Sequence, residues 1–241
     1  ISLTNVGRYI TYDPVHNYLY VSINSSNLVE VIDVSTDLSV TTISVGTGPS
    51  DIIYSTVNQF VYVINYNDST VSKIDTNTNT VVSTITVGNS AQSIIETPLY
   101  IYVGNIGDNT ITAIDINTDV TTTIISSLPS NLIYNPSNGY LYVTQQDVYV
   151  EIIDTLTNTS VTVINIGDDS SFGIYTPNNN NVYVNTLDKP NSSYMVELGC
   201  LQPTTITSLI GTTTTTSTTL CPTYCDVNQG FMADKFEIIC Q

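Results

Sequence analysis

The sequence of 241 residues is poor in positive charge: Lys and Arg number 4 against 21 Asp and Glu, for a formal charge of −17 at pH 7. The four cations, Arg8, Lys73, Lys189 and Lys235, are scattered along the chain. Phosphate binding requires clustered cations, so the sequence argues against nucleic acid as a partner. An anionic membrane surface is disfavoured for the same reason.

Histidine, tryptophan and long apolar runs are also scarce. Trp is absent, His16 is the only histidine, and no run of 18 apolar residues occurs, so no membrane insertion is predicted. His16 lies in a predicted turn, where we expect it to be solvated, and no catalytic triad can be built around it. Phosphate-loop, zinc-protease and calcium-loop motifs are absent as well. The sequence therefore predicts a protein that is not an enzyme and holds no metal or cofactor.

Hydroxyl and amide side chains are abundant instead: the chain has 38 Thr, 25 Asn and 25 Ser, while charged residues make up only 10%. A cytosolic surface carries far more Lys and Glu, so we expect an extracellular or cell-surface protein. Hydrophobic residues at 41% suffice for a core and exclude disorder of the whole chain. Because Ile1 lies in a strand-like segment, we expect residue 1 to be a processing site or the edge of a longer precursor.

A Tyr-Val pair recurs every 40 to 42 residues, with its tyrosine at Tyr20, Tyr62, Tyr102, Tyr142 and Tyr183. Each copy has four short runs of alternating apolar residues separated by turn residues, which predicts four strands. In the second copy these runs are Asp51–Tyr54, Phe60–Asn65, Val71–Asp75 and Val81–Val87. Four antiparallel strands in about 40–45 residues are typical of a propeller blade.

The predicted fold is therefore all-β: a β-propeller of five four-stranded blades over residues 1–211, with repeats starting near residues 8, 50, 92, 130 and 171. We expect the five blades to close into one ring, because a blade buries its faces only against its neighbours. Residues 212–220 are predicted to be a Thr-rich linker, and residues 221–241 a Cys-containing tail that ends in a strand.

The repeats resemble a known family. The segments 18–22 (Tyr-Leu-Tyr-Val-Ser), 61–65 (Val-Tyr-Val-Ile-Asn), 140–144 (Tyr-Leu-Tyr-Val-Thr) and 182–185 (Val-Tyr-Val-Asn) are similar to YVTN-type β-propeller repeats of cell-surface and surface-layer proteins. The resemblance covers residues 1 to about 211. It implies a scaffold propeller without common catalytic residues, although this chain has five repeats where the family commonly has seven blades.

Several recurring residues are interpreted as structural. The carboxylates at the same place in four copies are expected to bind backbone N–H groups of a turn, in preference to a metal or catalytic role. The glycines that end fourth strands are expected to have positive φ. The repeated tyrosines are expected to pack between blades, with a sugar-binding platform as the alternative. The carboxylates and glycines are Asp33, Asp75, Asp115, Asp154, Gly46, Gly88 and Gly167.

Cysteines occur only in the last 42 residues, at Cys200, Cys221, Cys225 and Cys240. The tail is too short to build its own core, so disulfides are the leading interpretation, with a metal site or free thiols as alternatives. Their pairing stays open among three connectivities.

Candidate sites for sugar are also present. N-glycosylation acceptors occur at Asn24, Asn67, Asn158 and Asn191. The hydroxyl-rich run that follows Gly211 is a candidate for O-linked sugar and begins with Thr212, Thr213, Thr214, Thr215 and Thr216.

Strand counting suggests a function. Ile1–Leu3 aligns with Ile43–Val45, a fourth strand, while Thr204–Ile210 is predicted to be the fourth strand of the last copy, and Phe236–Cys240 is a further strand. Spare strands and unpaired edges favour strand addition between subunits. The leading hypothesis is a non-enzymatic extracellular structural protein that self-assembles through terminal strands into a surface layer or filament. The alternative is an adhesion module of a cell or virion surface that binds glycan or protein, and a distant third is an enzyme that uses the central channel.

Overall fold

The computed structural model describes residues 6–145, 148–166, 172–188 and 192–198. The chain divides into two units, Ile1–Leu198 and Gly199–Gln241, and the second lies outside the described residues. Within the described ranges, the regular structure consists of β-strands and one short 3-10 turn, Asn24–Ser26. No helix there is long and apolar enough to cross a membrane.

The strands form successive antiparallel sheets, in which each strand pairs with the next along the chain. Sheet 1 contains β1 (Ile10–Asp13), β2 (Tyr18–Ile23), β3 (Leu28–Asp33) and β4 (Leu38–Ser44). Sheet 2 contains β5 (Pro49–Tyr54), β6 (Phe60–Asn65), β7 (Thr70–Asp75) and β8 (Thr80–Thr86). Sheet 3 contains β9 (Ala91–Glu96), β10 (Tyr100–Asn105), β11 (Thr110–Asp115) and β12 (Thr121–Ile125). Sheet 4 contains β13 (Pro129–Asn135), β14 (Tyr140–Gln145), β15 (Tyr149–Asp154) and β16 (Thr159–Asn165). The described strands of sheet 5 are β17 (Gly173–Thr176), β18 (Asn181–Asp188) and β19 (Ser192–Leu198).

The first strands of the sheets begin close to the predicted repeat starts, at Ile10, Pro49, Ala91, Pro129 and Gly173. Each strand is five or six residues long in most cases, and apolar residues alternate along it, so successive side chains lie on opposite faces of the sheet. The prediction of an all-β, propeller-like protein built from four-stranded antiparallel sheets is confirmed.

The recurring aspartates bind the turn between the third and fourth strands, as predicted. The Asp115 carboxylate accepts hydrogen bonds from the backbone N–H groups of Asn117 (3.0 Å) and Thr118 (2.9 Å). Asp33, Asp75 and Asp154 accept the equivalent bond from the residue two positions on. These bonds favour the ionised form, and they lower the pKa of the Asp75 and Asp115 carboxyls. The carboxylates therefore stabilise the same kind of turn in four different sheets.

The prediction of positive φ at Gly46 and Gly88 is wrong. Among the described glycines, positive φ occurs at Gly48 and Gly139. Gly46 is instead required by close packing, because a Cβ there would lie 2.6 Å from Cγ of the buried Asn65. A Cβ at Gly88 would likewise lie 2.8 Å from Cγ of Asn105. Gly167 lies outside the described residues.

His16 stays partly solvated, with 27% of its side chain exposed, but it also has specific partners. Its Nδ1 lies 2.7 Å from Oδ2 of the fully buried Asp13, and its ring stacks on Tyr18 with centroids 5.9 Å apart. Asp13 also accepts a hydrogen bond from the backbone N–H of Val15 (2.8 Å). The histidine therefore belongs to the turn between β1 and β2, and it is held there by a carboxylate that the turn already needs.

Candidate assembly interface

Neighbouring sheets pack on each other through two different faces, a leading face and a trailing face. Both are defined by the residues of sheet 2. Its leading face carries Val61, Val63 and Ile74 and packs on sheet 1. Its trailing face carries Tyr62 and Ile64 and packs on sheet 3. The same trailing-to-leading contact joins sheets 3 and 4. One chemical pattern is therefore reused at successive boundaries, as in repeat proteins in which each unit is stable only against its neighbours.

The repeated tyrosine is the largest side chain of each trailing face. Tyr20, Tyr62, Tyr102 and Tyr142 are 0 to 1% exposed, which confirms their predicted position between sheets. Burial raises the pKa of all four hydroxyls, so they stay protonated hydrogen-bond donors. Because their rings are covered, these four tyrosines cannot form a platform on which a sugar stacks.

Two of the hydroxyls bind the following sheet at one equivalent position. The Tyr20 hydroxyl donates to Oδ1 of Asn79 (2.7 Å), and the Tyr102 hydroxyl donates to Oδ1 of Asn158 (2.5 Å). Both asparagines adopt the left-handed conformation, with φ of 53° and 56°, in the turn before a fourth strand. Asparagine tolerates this conformation better than most residues. Its side chain is thereby presented to the tyrosine of the preceding sheet.

At the boundary between sheets 2 and 3, a salt bridge replaces the hydrogen bond between tyrosine and asparagine. The equivalent turn residue is Asp119, whose Oδ1 lies 2.7 Å from Nζ of Lys73. The Lys73 side chain is buried in the interface, and its ammonium lies 4.6 Å from the centre of the Phe60 ring. The carboxylate and the aromatic ring together compensate a cation that has been removed from water.

The inner strands of neighbouring sheets are joined by a second repeated contact. Asp51 accepts a hydrogen bond from the backbone N–H of Ile94 (3.3 Å), and Asn131 accepts one from Gly173 (3.3 Å). Burial raises the pKa of the Asp51 carboxyl to about 6, although the bonds from Ile52 and Ile94 oppose this effect. The same hydrogen bond between inner strands is therefore accepted by a carboxyl oxygen at one boundary and by an amide oxygen at another.

The leading face of sheet 1 has no partner sheet among the described residues. At one repeat position, Ile52, Ile94 and Leu132 are 3 to 7% exposed, whereas Ile10 is 59% exposed. A groove of about 290 Å³ opens on this face, lined by Gly7, Arg8, Tyr9, Ile10, Leu19, Val21 and Ile32. The face is exposed at the inner strand, whereas Val21, Ile23 and Ile32 on β2 and β3 are only 0 to 4% exposed.

The trailing face of sheet 5 is the opposite end of the stack. Ile174 is 60% exposed, whereas Ile133, its equivalent in sheet 4, is 4% exposed and lies against Gly173. Tyr183 is half-buried, unlike the other four tyrosines of the repeat. A closed ring of five blades requires sheets 1 and 5 to bury these faces against each other. Ile10 and Ile174 are exposed, whereas Val21, Ile23 and Ile32 of sheet 1 are buried, and the closed ring of five blades stays a prediction because residues 1–5, 189–191 and 199–241 lie outside the described ones.

The candidate glycosylation sites differ in access. Asn67 is exposed in the turn between β6 and β7. Asn24 donates its Nδ2 to the Pro49 carbonyl oxygen (3.2 Å), and Asn158 accepts the hydrogen bond from Tyr102 described above. Asn191 lies outside the described residues. The cysteines and the hydroxyl-rich run lie outside them as well: Cys200, Cys221, Cys225, Cys240 and Thr212–Thr219. No group of metal-ligating side chains occurs in the part of the chain that the structure describes.

The Lys73–Asp119 pair generates a stability prediction. We expect Asp119→Ala to lower the free energy of unfolding by about 2 kcal/mol, because it leaves a buried ammonium without its carboxylate. The double variant Lys73→Val, Asp119→Asn serves as the control, since the boundary between sheets 1 and 2 has Val31 at the lysine position and Asn79 at the aspartate position. It should unfold near the wild-type urea midpoint. An unchanged midpoint for Asp119→Ala would contradict this role of the pair.

Asp51 generates a pH prediction. Its folded pKa of about 6 lies above the ordinary value of 3.8 for an aspartate, so folding favours the protonated form. The stability that this provides is complete below the unfolded pKa and is lost as the pH rises through 6. We expect Asp51→Asn to stabilise the protein by about 1 to 2 kcal/mol at pH 7.5 and by much less at pH 4.5. Asn131 shows that an amide can make the same bond. Calorimetry at both pH values tests this, and an equal gain at both would refute it.

Comparison with known proteins supports the fold. No protein-family model and no curated protein matches the chain. A solved structure of hydrazine synthase from Kuenenia stuttgartiensis is similar, with a TM-score of 0.70 and 21% sequence identity. The match covers 83% of this chain and 65% of that chain, so this chain spans less than two thirds of that length. A likeness at this identity shows a shared propeller-like fold.

The prediction that the chain is not an enzyme needs correction. Hydrazine synthase is an enzyme, and a chain of it has this fold. The lack of a triad, phosphate loop or zinc motif in the sequence therefore does not exclude catalysis, because one fold hosts catalytic and non-catalytic proteins alike.

Proposed function

We propose that this protein is an extracellular structural protein of a cell or virion surface that self-assembles into a layer or filament. The observation that supports this best is the exposure of apolar side chains on the first strands of the two end sheets, where Ile10 and Ile174 are about 60% exposed. Large apolar side chains exposed in groups mark interaction surfaces. A chain with different faces at its two ends can add copies without closing, which builds open polymers.

The composition supports this location and sets a condition for assembly. A surface of Thr, Asn and Ser with four cations is suited to an environment outside the cytosol. The formal charge of −17 makes copies repel each other. Salt screens such repulsion, with a Debye length of about 8 Å at 0.15 M. We therefore expect assembly to strengthen as the ionic strength rises.

The C-terminal segment is proposed to strengthen the assembly. Thr204–Ile210 would complete sheet 5 as its fourth strand and so the fifth blade, and the Thr-rich linker would follow. Disulfides among Cys200, Cys221, Cys225 and Cys240 would hold the tail in place and reduce the entropy lost on presenting its apolar strand Phe236–Cys240. That strand would add to an edge of a neighbouring copy through backbone hydrogen bonds.

The full chain tests the function directly. We expect its mass, measured by light scattering, to increase with concentration, and electron microscopy to show layers or filaments, with both effects stronger at higher salt. A chain truncated at Thr212 should assemble less well at equal concentration. A monomeric mass for the full chain at every concentration and salt would refute the function. Equal assembly of the truncated chain would refute only the role of the tail.

Sugar attachment is predicted at the most accessible acceptor. Native protein should carry N-linked sugar on Asn67, because its side chain is exposed, and should carry none on Asn158, whose side chain is bound between sheets 3 and 4. Mass spectrometry of glycopeptides from native material measures both sites. Asn67→Gln should remove the modified peptide. A modified Asn158 beside an unmodified Asn67 would contradict the prediction.

A further inference from the structure

The fourth strand of each of sheets 1 to 4 has an open edge. The strands β4, β8, β12 and β16 pair with a third strand on one side, and no strand pairs with their other side in the part of the chain that the structure describes. None of the four contains a charged residue or a proline. Edge strands commonly avoid pairing with another chain through charges, proline or bulges. For these four strands, a bulge is the protection that remains.

Three of the four strands have a bulge at the same place. The pairing of the third and fourth strands shifts by one residue in sheets 1, 2 and 4, and it leaves Val40, Val82 and Val161 as the extra residues. A bulge bends the strand and interrupts its regular row of backbone groups. In sheet 3, β12 pairs with β11 without any shift. Its outer edge is therefore regular, whereas the outer edges of sheets 1, 2 and 4 are not.

The third repeat lacks a bulge because it is one residue shorter at this point. In sheet 2, the isoleucine that recurs in fourth strands follows the turn aspartate by ten positions, from Asp75 to Ile85, and the spacing is the same in sheets 1 and 4. In sheet 3 the spacing is nine, from Asp115 to Ile124. The residue that is missing is the one that Val82 provides in sheet 2.

The regular edge of β12 presents backbone groups that can bind another strand. The Ser126 N–H donates to the Asn109 carbonyl oxygen (3.0 Å), at the end of the β11–β12 ladder. Hydrogen-bonded and non-hydrogen-bonded pairs alternate along an antiparallel ladder. Thr121, Thr123 and Ile125 therefore belong to the non-hydrogen-bonded pairs, and their N–H and C=O groups point away from β11.

The side chains of β12 also suit the addition of a strand. The strand consists of Thr and Ile alone, and these β-branched residues favour the extended conformation. Ile124 is buried, while the other four side chains are exposed, and Ile125 is 78% exposed. An added strand would cover Ile125 and would bury no charge of β12.

We propose that β12 is the edge that receives the C-terminal strand Phe236–Cys240 of a neighbouring copy. This rests on the proposed function and assigns the surface through which the chain assembles. The chain continues beyond the described sheets from Gly199 to Gln241 and ends with this segment. The segment has the length of β12, and Glu237 is its one charged residue, so it fits an apolar, uncharged edge. Copies with a formal charge of −17 also meet with least repulsion where the surface has no carboxylate.

The first experiment blocks the edge of β12 in the full chain. Thr123→Pro removes an outward N–H that β11 does not use, so the sheet keeps its ladder. It should raise the concentration needed for assembly by about tenfold, because a backbone hydrogen bond is lost and the proline ring obstructs the incoming strand. Thr84→Pro is the matched control, since Thr84 is exposed at the equivalent position of the bulged strand β8. It should assemble as the wild type does. Circular dichroism and melting temperature verify that both variants fold.

A second variant restores the bulge. Insertion of one valine between Thr121 and Thr122 gives sheet 3 the spacing of sheets 1, 2 and 4, so the chain should fold and should assemble as poorly as Thr123→Pro. Assembly of the insertion variant at the wild-type concentration would overturn the role of the regular edge.

A mixture of two blocked variants tests whether the tail is the partner of β12. The full-length double variant Ile238→Pro, Ile239→Pro disables the tail strand and leaves β12 intact. The Thr123→Pro copy has an intact tail, so an equimolar mixture should form dimers and nothing larger, as measured by light scattering.

Each failure has a separate meaning. Wild-type assembly by Thr123→Pro would overturn β12 as the site and leave the proposed function standing. Wild-type assembly by the tail variant would overturn the tail as its occupant. Loss of assembly in both variants without dimers in the mixture would overturn the pairing of tail and edge between copies. A wild-type chain that stays monomeric would overturn the function and this inference together.

Discussion

The structure depends on the burial of one tyrosine between each pair of neighbouring sheets. Tyr20, Tyr62, Tyr102 and Tyr142 lose almost all contact with water there, and a large ring buried between two sheets contributes much of the apolar area of the boundary. A single four-stranded sheet with two apolar faces has no stable form alone. Each sheet is therefore stable only when its apolar faces pack on neighbouring sheets.

The polar contacts at these boundaries vary while the geometry stays the same. A left-handed turn residue faces the preceding sheet as Asn79, Asp119 or Asn158, and its partner is a tyrosine hydroxyl or, at one boundary, the Lys73 ammonium. The shared backbone conformation holds the position, so an amide and a carboxylate can replace each other. An amide can replace a carboxylate at this turn position only when the partner side chain changes as well, because a charge without a partner in the boundary is strongly destabilising.

The ends of the row connect the fold to a function. A repeat architecture leaves one unsatisfied face at each end unless the ring closes or a capping segment covers it. In the described residues, Ile10 of sheet 1 and Ile174 of sheet 5 are exposed, whereas their equivalents in the inner sheets are buried. The proposed self-assembly would use such exposed apolar residues and would require no dedicated binding motif. The likeness to a hydrazine synthase chain adds that the same fold also serves enzymes, so function has to be argued from particular surfaces.

The 40-residue period and the alternation along each copy were sufficient to predict the sheets, the buried tyrosines and the aspartate turns, because these depend on residues near each other in the sequence. Three features were decided by the tertiary structure. Gly46 is small because Asn65 packs on it, and His16 is bound because Asp13 is buried beside it. Ile10 and Ile52 have the same residue type at the same repeat position, yet one is exposed and the other buried. Local sequence cannot distinguish them, because burial depends on whether another sheet lies against the residue.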